Sequence, residues 1–178
     1  MATFANQNAA FCPPNYQNTK MIQRIQSVFL LLLALAMLSV LFLPIWSKTD
    51  PATQQTLVLS ATKLASSSAS PTSPAPVSTW PIAALAAASA ATALFEIFQY
   101  RNRFTQLKLG VVNFLLIVAT IGAGFYYSSI GERLLNIKMP GTFEAGFYLP
   151  TLALLLNLLA NRFIRRDEQL VRSMDRLR

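Results

Sequence analysis

Histidine is absent from the chain, and Cys12 is its single cysteine. The first absence excludes imidazole acid–base chemistry, and the two together exclude His/Cys zinc sites and intrachain disulfides. Cys12 sits in "NAAFC", with no basic or apolar run before it, and reads as a free thiol in a polar tail. Charge is scarce too: only 12% of residues are charged, against roughly a quarter in an average globular chain. No Gly-rich phosphate loop occurs, and no inverted repeat or pair of broken apolar helices is visible, so the usual transporter signatures are missing. Ser39, Ser89, Ser128 and Ser129 have no evident base partner, which weakens a catalytic reading.

What the chain does have is long apolar runs separated by concentrated charge. Its mean hydropathy is +0.42, and 53% of its residues are hydrophobic. The runs lie at Ser27–Trp46, Pro81–Tyr100, Val111–Ile130 and Ala145–Ile164, each about the 20 residues needed to cross a bilayer core. The first is too long for a signal-peptide core and lacks a small-residue cleavage site. Pro44 and Trp46 read as its far interface. These runs predict an all-α integral membrane bundle of four transmembrane helices over residues 21–164, with an irregular polar tail at 1–20 and a cytoplasmic amphipathic charged tail at 165–178.

Exported loops are expected at 47–80 and 131–144. "TLVLSA" alternates weakly and suggests a short strand, which could meet "NIKMPGTF" in a small two-stranded cap. The Ser/Pro/Ala tract "ASSSASPTSPAPVSTWP" reads as an extended linker. Small residues that let helices approach closely in lipid are expected at Ala84, Ala88 and Ala91, at Ala119 with Ala123, and at Thr120 with Gly124.

Four spans put both termini on one side, and basic residues choose that side. With cytoplasmic termini, 11 of the 15 Lys and Arg fall inside, and Lys48, Lys63, Arg133 and Lys138 make the remaining 4 outside. Basic loops resist translocation, so this bias sets the orientation. It also accounts for the net charge of +8 without nucleic acid.

Few residues can carry chemistry. Glu96 is the one acidic residue within a run, where a carboxylate is by default a functional candidate. It lies only one turn from the end of its run, close enough to snorkel or to pair with Arg101 or Arg103, and a structural role is expected. Asn113, Asn157 and Asn161 can exchange hydrogen bonds between helices, and interhelical adhesion is expected over substrate binding. In the tail, Glu168 and Arg172 have i,i+4 spacing, and Leu170, Met174 and Leu177 form an apolar stripe. Arg165 and Arg166 stand where the last run leaves the bilayer. Together they predict a helix lying on the membrane surface and contacting anionic headgroups, or a docking element for a protein partner.

"MIQRIQSVFLLLLAL" at Met21, "RNRFTQLKLGVVNFLL" in the centre and "FYLPTLALLLNLLANRFIRRDEQLVRSMDRLR" at the end resemble a group of small bacterial four-span membrane proteins, catalogued as domain of unknown function number 4293. The resemblance covers Met21 to Arg178, and "RRDEQLVRSMDRLR" carries most of its specificity. It implies four helices, a bacterial inner membrane and cytoplasmic termini, and it implies no activity, cofactor or catalytic residue. The expected function is a non-enzymatic accessory or scaffold subunit of an inner-membrane complex, whose partners are lipids and other proteins of that complex. The alternatives are a small transporter or ion pathway using Glu96 and the asparagines, and a lipid-acting membrane enzyme.

The orientation has a direct test. A thiol introduced at Ser68 should react with an impermeant reagent applied to intact cells, and one at Ser173 should react only after lysis. The reverse pattern would refute the charge argument.

Overall fold

The computed structural model describes residues 17–51, 54–67, 75–99, 103–135 and 139–175. Four helices dominate it: α1 (Gln17–Ser39), α2 (Trp80–Phe98), α3 (Arg103–Leu134) and α4 (Ala145–Asp175). Each packs on two neighbours, α1 on α2 and α4, and α3 on α2 and α4, so they form a square ring. The chain turns back at every connection, which makes ring neighbours antiparallel and produces an up-down-up-down bundle.

Among the described residues, three stretches are long and apolar enough to cross a membrane: Trp80–Phe98, Thr105–Leu134 and Ala145–Arg166. The described apolar part of α1, Gln26–Ser39, is shorter. All four helices nonetheless turn large apolar side chains outward, among them Leu31 and Leu35 on α1, Phe95 on α2, Leu115 on α3 and Leu155 on α4. Soluble monomers rarely present large contiguous apolar surfaces.

Small residues fill the bundle interior. Ala86, Ala90 and Ala93 of α2 meet Leu33, Ala34 and Met37 of α1, Ile117 of α3 and Ala153 of α4. The small-residue face of α2 is therefore not the expected one, since Ala84, Ala88 and Ala91 point outward. On α3 the expected pair Thr120 and Gly124 is buried. At the far end from the α1–α2 connection, Phe29 stacks on Phe163 with ring centroids 5.7 Å apart, closing α1 against α4.

The fold is not all-α. Between α1 and α2 the chain forms β1 (Trp46–Thr49), β2 (Thr56–Leu59), β3 (Lys63–Ser66) and β4 (Val77–Ser78), and β5 (Thr142–Phe143) lies between α3 and α4. They make one antiparallel sheet in the order β4-β3-β2-β1-β5. The expected two-stranded cap is thus a five-stranded one. "TLVL" (β2) and Thr142–Phe143 (β5) share it but do not pair, because β1 stands between them. The tract expected to be a linker contributes a strand residue pair at each end, Ala65–Ser66 and Val77–Ser78, while 68–74 lies outside the described residues.

Other boundaries move as well. Helix α1 begins at Gln17, inside the stretch expected to be irregular, and it ends at Ser39, so Trp46 belongs to the sheet rather than to a span. Pro44 has no N–H to offer a helix, and the chain leaves it as the strand whose first residue is Trp46. Pro81 stands in the first turn of α2, as its fixed φ favours. Helix α4 is uninterrupted to Asp175, so residues 165–175 of the expected tail continue it.

Alternation places one face of the sheet on the bundle. Trp46, Lys48, Leu57, Leu59 and Leu64 are buried, and the residues between them are less so. Phe125, Phe143 and Phe147 form a triangle with centroid separations of 4.3–5.5 Å that joins α3, β5 and α4 under the sheet.

The ring of Trp46 needs two glycines. A Cβ at Gly131 of α3 would stand 2.6 Å from it, and one at Gly141 would overlap it. Gly122, on the same helix, has open space where a Cβ would be. Gly131→Leu should therefore cost about 1–3 kcal/mol by overpacking and expose Trp46. Gly122→Leu should be neutral or stabilising, because glycine is a poor helix residue. Thermal melts in detergent with tryptophan emission would check both; equal effects would refute the clamp.

Candidate functional site

Polar residues gather at three places in the fold. The first is the interior of the bundle along α3. Ser89 Oγ on α2 donates to Asn113 Oδ1 at 2.6 Å, and Asn157 Nδ2 on α4 donates to the carbonyl oxygen of Gly110 at 3.0 Å. Gly110 and Asn113 are three residues apart, on one face of α3. The Asn161 side chain occupies the space that a Cβ at Gly110 would need. The three asparagines are thus brought to one face of α3, and glycine lets α4 come close there. Asn113 and Asn157 make hydrogen bonds between helices. Each of the three keeps one buried atom without a hydrogen-bond partner among the described residues: Asn113 Nδ2, Asn157 Oδ1 and Asn161 Oδ1.

Glu96 stands two turns further along α2 from Ser89, on the same buried face. It was expected to snorkel to headgroup water or to pair with Arg101 or Arg103; it is 0% exposed, and neither carboxyl oxygen has a hydrogen-bond partner among the described residues. The inward side of α2 explains this, because the positions one and two turns before it, Ala93 and Ser89, are core residues. Pairing with Arg101 or Arg103 lies outside the described residues. Gln106 of α3, seven residues before Asn113, is also buried, and the antiparallel register sets it at the level of Glu96.

The second place was missed from sequence. Lys48, counted there as a plain exported charge, is 3% exposed and reaches Glu132 Oε2 at 2.5 Å and the carbonyl of Leu135 at 2.9 Å. The other oxygen of Glu132 accepts from the Gly141 amide at 2.6 Å. One signal was present: Lys48 is two residues from Trp46, and i,i+2 positions of a strand share a face. Ser47, on the other face, donates to Glu144 at 2.7 Å.

The third place is a groove of about 670 Å³ between α3 and α4. Val111, Phe114 and Leu158 line one part of it. Asn161, Arg162, Arg165, Arg166 and Gln169 line the rest. Arg165 and Arg166 were expected at this point on α4; Arg162 and Phe114 were not singled out. Leu170 and Met174 lie in the helix, but their side chains, like all of Leu177, are outside the described residues. Among the described residues no group of three or more His, Cys, Asp or Glu could hold a metal ion.

A family model described as "Domain of unknown function (DUF4293)" matches residues 22–177. No curated protein and no solved structure matches the chain.

The ion pair supports a prediction with a definite order. Glu132→Gln leaves the Lys48 ammonium buried without its counter-charge and should cost about 1–3 kcal/mol. Lys48→Met removes the buried charge and should cost less, and the double variant should be more stable than Glu132→Gln alone. Denaturation of the four proteins in detergent measures the cycle; additive effects would show that the pair does not couple.

Proposed function

The chain belongs to the DUF4293 family, and we propose that it is a non-enzymatic accessory subunit of a bacterial inner-membrane assembly, crossing the membrane four times with both termini in the cytoplasm. The charge bias of the loops supports that orientation, with the sheet on the exported side. The outward apolar side chains of α1 support the fourth crossing. One observation carries the accessory role. Helix α4 does not stop where its apolar run ends at Arg166 but continues to Asp175. Nine residues of helix extend about 13 Å further. An unbroken helix cannot fold down onto the bilayer at that point, so its extension enters the aqueous phase, where a partner can meet it. Mixed charge suits such a contact better than it suits an anionic lipid surface.

A second reading, an ion or proton pathway, is favoured by Glu96, which is buried with both oxygens unpartnered. Intramembrane carboxyls in that state are functional candidates.

Deletion of Asp167–Arg178 should leave insertion normal and abolish stoichiometric co-purification of a partner in mild detergent. Retention of the partner would refute docking by this extension. Glu96→Gln keeps the volume and removes the ionisable group; the accessory reading expects normal protein levels and phenotype. Loss of a cation- or proton-dependent phenotype at normal levels would establish the pathway instead.

A further inference from the structure

We infer that the groove between α3 and α4 is a binding site for one anionic glycerophospholipid, with its phosphate against Arg162, Arg165 and Arg166 and an acyl chain along Phe114 and Leu158. The inference rests on the reading that the last apolar turn of α4 lies at the membrane interface. Leu158 and Arg162 are four residues apart, and the adjacent Arg165 and Arg166 each stand three or four residues from both Arg162 and Gln169, so the five form a single broad stripe on α4. From Leu158 to Gln169 the stripe runs about 16 Å. Its apolar end faces the middle of the bundle and its basic end faces the helix extension. That order matches a phospholipid, whose tail lies deep and whose headgroup lies shallow. Val111 and Phe114 supply the second apolar wall from α3.

Three properties select the guest. Guanidinium groups donate in a planar fork that fits phosphate oxygens, and among the described residues no carboxylate pairs with any of the three. A zwitterionic lipid carries its own cation beside the phosphate and so gains less from three arginines. A free phosphate would use the arginines and leave the apolar wall uncovered. The volume, about 670 Å³, accommodates a headgroup and the first part of a chain.

The full chain, purified in uncharged detergent, should be titrated with phosphatidylglycerol, with phosphatidylcholine of the same acyl chains, and with inorganic phosphate. Thermal stability and native mass spectrometry would be the readouts. Phosphatidylglycerol should raise Tm and remain bound as one molecule, while the other two should not. Arg162→Gln combined with Arg165→Gln should weaken that binding about 10-fold or more. Arg133→Gln, at the opposite end of the bundle, should leave it unchanged. Should the double variant fold poorly, Arg162→Gln and Arg166→Gln singly should each reduce the bound lipid. Equal binding of both lipids, full reproduction by phosphate, or unchanged binding in the arginine variants would each overturn the site. Thiol labelling at Ser173 reports the orientation separately, so a wrong topology and a wrong site give different results.

Discussion

Strand β1 is the constraint on which the sheet-bearing end of the molecule depends. Its backbone pairs with β2 on one side and with β5 on the other, so it fastens the α1–α2 connection to the α3–α4 connection. Its two inward side chains then fix the sheet on α3, Trp46 by shape and Lys48 by charge. Shape and charge use the same short stretch of α3 and the loop after it. Gly131 and Gly141 admit the Trp46 ring, and Glu132 and the Gly141 amide complete the Lys48 pair. A strand of four residues has little hold by itself; two edges and two buried anchors make it the hub of the cap. Gly146 adds a further close contact, where a Cβ would approach the carbonyl oxygen of Pro44 to 2.5 Å.

Inside the bundle the same economy of small residues operates with different chemistry. In lipid, helices gain little from hiding apolar surface, and association relies on close packing and on hydrogen bonds between helices. Alanines of α2 and Gly110 of α3 supply the closeness; Ser89, Asn113 and Asn157 supply the bonds. The bonds do not satisfy every buried polar atom. Glu96 and the free atoms of the asparagines remain, and they are where water, a proton or a cation would enter the account. The arginine groove is of another kind, since it opens outward and joins apolar and basic surface on one face of two helices.

The sequence by itself determined the four helices, because an apolar run of that length with at most one charge admits few other structures once water is excluded. It also read Pro81 as a first-turn helix residue and the asparagines as able to bond between helices, and it named Thr120 with Gly124, which is buried, beside Ala119 with Ala123, of which Ala119 is exposed. Each of these follows from a residue's own chemistry and spacing. Only the tertiary structure decided which face of α2 is buried, because alanine has no polarity to declare a side and Ser89 and Glu96 turn the helix inward. The sheet was equally hidden. Strands of two to four residues carry almost no period, and β5 exists because the distant β1 offers it an unpaired edge. The Lys48–Glu132 pair joins residues 84 apart in the chain, and the groove takes its walls from two helices. Such juxtapositions are products of packing, and local sequence does not encode them.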